Sequence, residues 1–340
     1  MPLIVSRDQV LDLYAAAARK KWVIPCFCSE NLTTTEAVLA AASDFAIQRH
    51  LDRVPITVGI TNQYLHRAQS AWYTHSRRWD IGLRLFLADL QVLARDDSPY
   101  GNVDVMVHLD HTQHDHDREL LQWDMGQFSS IMFDASTLPF EENIAATRQF
   151  VRTRGSEIVV EGACDEIIDA GGEEAGELTT PEHAERYVRE TGADMIVANL
   201  GTEHRASAAS LQYHGELARE ISRRIGPKLV LHGCSSVPPE QIGKLFDDGI
   251  CKANVWTALE RDSSPVLLAH MLRNAVKVAG SEAVARLKEE GLLGPAVSAG
   301  GRAALSHATT CYRQDIVFQV MKYIVNNFLE MWYPAAPSRD

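Results

Sequence analysis

The sequence predicts an α/β fold, a (β/α)8 TIM barrel with extra C-terminal helices, on three observations. Eight short apolar runs alternate with amphipathic stretches along the 340 residues, as expected for parallel strands joined by helical crossovers. No Gly-rich dinucleotide fingerprint follows the first run, which weakens an open doubly wound sheet as the competitor. Acids, imidazoles and amides recur where the runs end, and barrels of this type hold their active sites on the loops at strand C-termini.

Strands are expected at 22–27, 55–60, 103–109, 129–133, 158–161, 195–200, 228–231 and 251–255. Helical stretches are expected at 34–48, 64–95, 116–125, 141–153, 181–191, 209–224 and 239–247. Thr180-Pro181-Glu182 is a start signal, and Gly192 and Gly249 are stop signals; a Thr cap followed by proline favours a helix start, and glycine its end. There is no low-complexity segment and no obvious linker, so 1–340 reads as a single barrel domain with 264–340 as a C-terminal helical extension. The extension closes with a long helix from Tyr312 to about Trp332, expected to pack on the barrel or on a partner subunit.

Hydrophobic residues make up 46% and charged residues 23%, the balance of an ordinary globular chain. A net charge of −12 argues against nucleic-acid binding and against an anionic membrane surface, though a local site can still take a small anion. Residues 1–23 lack the apolar core of a signal peptide, and no run approaches the ~20 apolar residues of a membrane span. Six scattered cysteines form no disulfide framework and read as reduced thiols of a cytoplasmic protein. Cys26-x-Cys28 lacks the second pair a metal site would need.

The chemistry concentrates in His108-Leu109-Asp110-His111, at the end of the third run. Strand neighbours alternate faces, so His108 and Asp110 share one face and His111 sits at the turn. Two later runs also lead to a histidine, His204 and His232. Taken singly, each is more ordinary as a packing or surface residue. Taken together, three histidines from three strand ends can converge on one ion and leave a fourth position open, the ligand count of a catalytic zinc site. Such an ion polarises a carbonyl and stabilises an enediolate. Asp110 beside it could move the proton of a hydroxyl. Asp134 reads as either a core hydrogen-bond acceptor or a site residue. The run Gln113-His114-Asp115-His116-Asp117 reads mostly as a solvated helix start, its acids suiting the N-terminal dipole.

Further segments fall in one order: Phe27 to Asn31; Met132-Phe133-Asp134-Ala135-Ser136 with Phe140-Glu141-Glu142-Asn143-Ile144; Thr180-Pro181-Glu182 with Thr191-Gly192-Ala193-Asp194; Gly201-Thr202-Glu203-His204; Leu231-His232-Gly233-Cys234-Ser235; and Lys252-Ala253-Asn254-Val255. With His108–His111 they resemble the zinc-dependent class II ketose-bisphosphate aldolases (fructose- and tagatose-bisphosphate types) over roughly 25–257. The resemblance implies that His111, His204 and His232 bind zinc and that Asp110 is the acid/base at the bond being broken or made. Gly171-Gly172-Glu173-Glu174 is similar to the family's mobile-loop Gly-Gly-Glu-Glu, whose glutamate handles the α-proton. The loop is longer here, so that role falls to Glu173 or Glu174. Gly233, Ser235, Asn254 and Thr257 are expected to hold the phosphate and hydroxyls of a dihydroxyacetone-phosphate-like half. Asn31, Thr61 and Arg205 complete the expected substrate contacts. One zinc per chain is implied, with a monovalent cation as an additional candidate and a homodimer or homotetramer as the assembly.

Departures from the family pattern cluster at substrate contacts. Arg205 stands where the family has glycine, and Trp256 where it has an acid. Cys234 and Ser236 replace glycines, and Ala163 replaces a glutamate, leaving only Glu161. Thr61-Asn62-Gln63-Tyr64 replaces a Ser-x-Gly-Ala segment. An arginine that meets the distal phosphate in many members aligns with Glu260, with Arg261 next to it. Like charges repel, so the expected aldehyde partner is altered and not a phosphate ester, with Trp256 and Tyr64 suited to an apolar or ring-bearing group. The expected function is reversible aldol cleavage or addition through a metal-bound enediolate. The alternatives are a non-catalytic sugar-binding or assembly protein of the same descent, or another zinc lyase or epimerase, since fold does not fix function.

Overall fold

Eight parallel strands close on themselves in chain order in the computed structural model, which describes residues 3–65, 67–165, 177–202 and 213–335. They are β1 (Ile24–Cys28), β2 (Val54–Thr61), β3 (Val103–Gln113), β4 (Ser130–Asp134), β5 (Val159–Ala163), β6 (Met195–Val197), β7 (Leu229–Leu231) and β8 (Ile250–Val255). β8 pairs back to β1, with Cys26 opposite Asn254, so the sheet has no edge. Every position of β1, β2 and β8 is buried. Helices cover the outer face and side chains fill the inner one, which is why these strands read as apolar runs without alternation.

The helix Leu32–Gln48 follows β1, and its first turn is capped by the Asn31 side chain, which accepts from the amides of Thr33 and Thr34. The expected stretch 64–95 divides into Gln69–Trp72 and Trp79–Leu93. Helices Phe140–Arg154, Pro181–Thr191 and Gly215–Ile225 follow β4, the β5 loop and the β6 loop, and Gly192 ends the second at φ 75°.

Two expectations fail. No helix spans 116–125; two 3-10 turns, Leu120–Gln122 and Met125–Gln127, take its place. Asp117 is buried rather than solvated and accepts from Asn62 Nδ2 (2.7 Å), Gln63 N (3.1 Å) and Gln113 N (2.8 Å). It therefore ties the loops after β2 and β3 together. The stretch 239–247 forms only the short helix Pro239–Ile242. The sequence reading also missed the N-terminal helix Arg7–Arg19. Ahead of that helix, Leu3 forms a parallel bridge to Val105 on the lower part of β3, below the first residue that β4 pairs, His108.

After β8 come Thr257–Arg273, Ala275–Ala279, Ser281–Glu289, Leu305–Ala308 and Thr310–Trp332. The last packs on Leu32–Gln48 and Thr257–Arg273. Trp332 is buried and donates its Nε1–H to the Ile242 carbonyl (2.9 Å), while Tyr333 stacks on Trp22 with ring centres 4.3 Å apart. The C-terminal segment is thus part of the wall over β1 and β2, where the Tyr333 hydroxyl donates to the Pro55 carbonyl (2.5 Å). No helix among the described residues is long and apolar enough to cross a membrane.

Candidate active site

β3 is the longest strand and does not end at Leu109; it runs on to Gln113 with a register shift against β4 between Leu109 and Thr112. His111, inside that bulge, has φ 45°. A bulge re-aims side chains that a regular pleat would send to opposite faces, and a non-glycine residue at positive φ persists only where its surroundings impose it. The result is that Asp110 and His111, sequence neighbours, both enter the barrel mouth. His108 keeps the alternation, its Nε2 lying 3.7 Å from Asp110 Oδ1.

His111 and His232 meet edge to face with ring centres 4.8 Å apart. His111 Nε2 lies 3.1 Å from His232 Nδ1. The other nitrogens are held from outside: His111 Nδ1 by Asp134 Oδ2 (3.1 Å), His232 Nε2 by Asn254 Nδ2 (3.1 Å). Asp134 is anchored in turn by the Ser136 hydroxyl (2.6 Å) and Gln113 Nε2 (2.8 Å). Burial would raise the Asp134 carboxyl, but the His111 and Ser136 bonds outweigh it and hold it at about 2. Tyr64 stacks on His111 at 4.4 Å.

A metal fits these donors. Asp110, His111 and His232 offer ligand atoms within 4.8 Å of one another, all buried. Two nitrogens on one tetrahedral zinc, each ~2.0–2.1 Å from it, stand about 3.3 Å apart; the two inward nitrogens here are 3.1 Å apart. A ligand imidazole donates its outer N–H to an acceptor; Asp134 Oδ2 stands at that place on His111, whereas the Asn254 Nδ2 beside His232 Nε2 is itself a donor.

Asp110 divides its two oxygens. Oδ1 accepts from Asn254 Nδ2 (3.0 Å). Oδ2 accepts from Arg67 NH2 (3.2 Å) and the Cys28 thiol (3.3 Å). Burial pushes its carboxyl up, yet the imidazoles of His111, His108 and His232 more than reverse this and hold it well below the usual range. Beneath it, Lys252 Nζ binds both oxygens of Glu161 (2.7 and 2.9 Å) in full burial, and Glu161 Oε2 lies 3.7 Å from His108 Nε2. A charged column therefore runs from Lys252 up to Asp110.

Residues 8–298 match the family described as "Fructose-bisphosphate aldolase class-II". The chain belongs to that family. It is thus a metal-dependent lyase of the class II aldolase type. It is 27% identical over 280 residues to the D-tagatose-1,6-bisphosphate aldolase subunit GatY of Klebsiella oxytoca, covering 81% of this chain and 88% of that one. A fructose-bisphosphate aldolase from Campylobacter jejuni shares the fold, with a TM-score of 0.74 at 19% identity and coverage of 97% and 95%. The YdjI aldolase from Escherichia coli K12 does so with a TM-score of 0.63 at 18% identity, 94% of each chain being covered.

In this class II aldolase, Gly233, Ser235, Asn254 and Thr257 line one pocket with Asp110 and His232. Gly233 adopts the left-handed φ of 67° that turns the chain into that wall. Asn31 is not brought there; its carboxamide caps a helix. Nor is Thr61, whose hydroxyl donates to the Arg67 carbonyl and whose amide binds Gln69 Oε1 (2.9 Å). Arg261 forks onto Asp262 at the surface. Glu173, Glu174, His204 and Arg205 lie outside the described residues. The described part of the β6 loop ends at Thr202, whose hydroxyl donates to the His232 carbonyl (2.8 Å).

Sequence reasoning missed Arg67, Cys28 and Glu30. Arg67 lines the pocket, stacked 4.3 Å over Trp256. Trp256 Nε1 donates to Glu30 Oε1 (2.5 Å), which also accepts from Gln69 Nε2 (2.9 Å). One face of Trp256 and one of Tyr64 are thus covered by the protein's own Arg67 and His111, which weakens the expectation of a ring-bearing partner there. Glu260 has a buried Oε1 with no hydrogen-bond partner among the described residues. Burial and then Glu30 raise it to about 7 against the pull of Arg67.

Proposed function

We propose that this chain catalyses reversible aldol cleavage of a ketose whose ketone half resembles dihydroxyacetone phosphate, with a non-phosphorylated aldehyde as the other half. The observation that carries the reading is the facing pair of imidazole nitrogens, 3.1 Å apart, beside the buried Asp110 carboxylate. His111 through Nε2, His232 through Nδ1, and His204 would hold one zinc. When bound, zinc supplies a Lewis acid that polarises the donor carbonyl. Asp134 would orient the His111 imidazole by accepting from its Nδ1. Asp110, a buried carboxylate that accepts from Asn254, Arg67 and Cys28, would take the proton of the hydroxyl at the bond being broken and return it on addition. Glu173 or Glu174 would handle the α-proton. Gly233, Ser235, Asn254 and Thr257 would bind the phosphate and hydroxyls of the donor, with Arg205 a further contact.

The altered aldehyde partner is supported by charge. Glu30 binds Trp256 Nε1, and Glu260 lies within electrostatic reach of Glu30 and Arg67, beside the pocket wall that Arg67 and Trp256 form. A phosphate there would meet carboxylates where a family arginine is expected, and like charges repel.

The test is threefold on purified protein. Zinc should be present at about one per chain. Dihydroxyacetone phosphate should exchange its α-proton with solvent. Fructose and tagatose 1,6-bisphosphates should be cleaved less efficiently than ketose 1-phosphates lacking the distal phosphate. Zinc without any exchange would favour a ligand-binding descendant. Preferential cleavage of a bisphosphate would refute the altered partner.

A further inference from the structure

We propose that Arg67 is a catalytic residue of the carbon–carbon step: its guanidinium donates a hydrogen bond to the substrate oxygen whose proton Asp110 takes. This rests on the aldolase reading above and adds to it a second group at the aldehyde oxygen.

The two oxygens of Asp110 are not equivalent. Oδ1 accepts from Asn254 and is turned toward His108 and His232 (3.7 and 3.9 Å). Oδ2 is met by Arg67 and Cys28, and all three residues line the pocket. Asn254 and His232, beside Oδ1, line the same pocket, so both oxygens border it; Oδ1 stands on the imidazole side, and a substrate hydroxyl at Oδ2 enters the reach of the Arg67 N–H groups. Arg67 Nε is buried with no partner among the described residues, so the guanidinium retains an unused donor.

The group is fixed in place before substrate arrives. Its central carbon lies 4.3 Å over the Trp256 ring, Trp256 is pinned by Glu30, and the Arg67 carbonyl is held by the Thr61 hydroxyl and the Gln69 amide (3.1 Å). Donors held in this way stabilise charge that appears only during reaction. A guanidinium is not deprotonated in proteins, so Arg67 cannot be the acid and Asp110 keeps that role. Its charge is already balanced by Asp110 and by Glu30 and Glu260 nearby. That balance suits a neutral oxygen gaining negative charge better than a resident phosphate.

In cleavage, the bond between the two halves breaks and its electron pair stays on the ketone half. The hydroxyl O–H bond breaks, its electron pair becomes the second bond of the new aldehyde, and the proton passes to Asp110 Oδ2. Arg67 faces the negative charge that develops on that oxygen. In addition the same steps run backwards.

The experiment separates the two halves of the reaction in the zinc-loaded enzyme. Dihydroxyacetone phosphate alone reports α-proton exchange by NMR in D2O; with added D-glyceraldehyde it reports bond formation. For Arg67→Ala we expect bond formation to slow by about 10²–10³ in kcat, the usual loss of one such donor, with exchange changed by less than about threefold. Added guanidinium should restore part of the lost rate. Arg67→Lys, which keeps a cation but not the planar fork, should also slow bond formation, and it guards against a folding defect in the alanine variant. Loss of exchange together with bond formation, or no loss of bond formation in either variant, would overturn the role. Wild-type enzyme that exchanges no α-proton would instead overturn the functional reading itself, and the Arg67 role with it.

Discussion

Glu260→Gln should make the protein more stable above neutral pH and leave it unchanged near pH 5. Glu260 opens the helix after β8 and faces Glu30 from the β1 loop and Arg67 from the β2 loop; Arg261 and Asp262 beside it pair with each other at the surface. Burial and Glu30 raise its carboxyl from 4.5 to about 7. The folded state thus keeps a proton that the unfolded chain has already lost between those values. Stability then falls as pH rises from 4.5 to about 7 and levels off above. At about 1.36 kcal/mol per pH unit the gap corresponds to roughly 3 kcal/mol, reduced to roughly 2–3 by the partial exposure of Glu260. Glutamine keeps the shape and removes the charge. Urea unfolding of wild type and variant at matched pH values measures this, since titrations common to both cancel in the difference. A difference that rises between pH 5 and 7.5 and then holds flat is expected. Parallel curves would show that Glu260 ionises normally and that the Glu30–Glu260 pair carries no strain.

Lys252→Met should destabilise by about 3–5 kcal/mol, because it leaves Glu161 charged and unpaired in the barrel interior; adding Glu161→Gln should recover part of the loss in the same urea titration. Asp134→Asn should weaken zinc binding about 10–100-fold, read by competition with a chelator, since it replaces the carboxylate that orients His111. Trp332→Ala should lower stability by about 3–5 kcal/mol, a buried indole and its bond to Ile242 being lost; a shift near zero would mean that the C-terminal helix is not part of the barrel wall.

The strands were legible because buried parallel strands carry no polar alternation, and the helix Pro181–Thr191 because its Thr180 cap and Gly192 end are local signals. The stretch 116–125 failed for the opposite reason. Its acids suggest a helix start, but Asp117 is captured by amides of the β2 and β3 loops, a partnership that local pattern does not carry. The N-terminal helix escaped notice because it buries only Val10 and Ala17. His111 and His232 were legible through their motifs, whereas the bulge that lets His111 stand beside Asp110 has no sequence mark of its own. Arg67 and Glu30 lie in loops without periodicity. They meet Trp256 only because the barrel closes and brings the end of β8 beside β1 and β2.

That closure also changes what the departures from the family pattern mean. Read along the chain, Glu260 in place of an arginine looks like a lost cation. Read in space, a cation is supplied by a different strand: Arg67, after β2, stacks on the residue that replaced an acid, Trp256, and reaches Asp110 rather than the rim. Glu30 and Glu260 lie beside the Arg67–Trp256 pair, so that side of the pocket wall is acidic, while the one cation shown at Asp110 Oδ2 among the described residues is Arg67. A substrate with a distal phosphate would place its charge against the first and draw nothing from the second. A substrate whose only anionic group lies on the ketone half would place its hydroxyl at Asp110 and Arg67 and leave the carboxylates facing neutral atoms. The four residues act together, and exchanging Glu260 alone for arginine should not restore bisphosphate cleavage while Glu30, Trp256 and Arg67 remain.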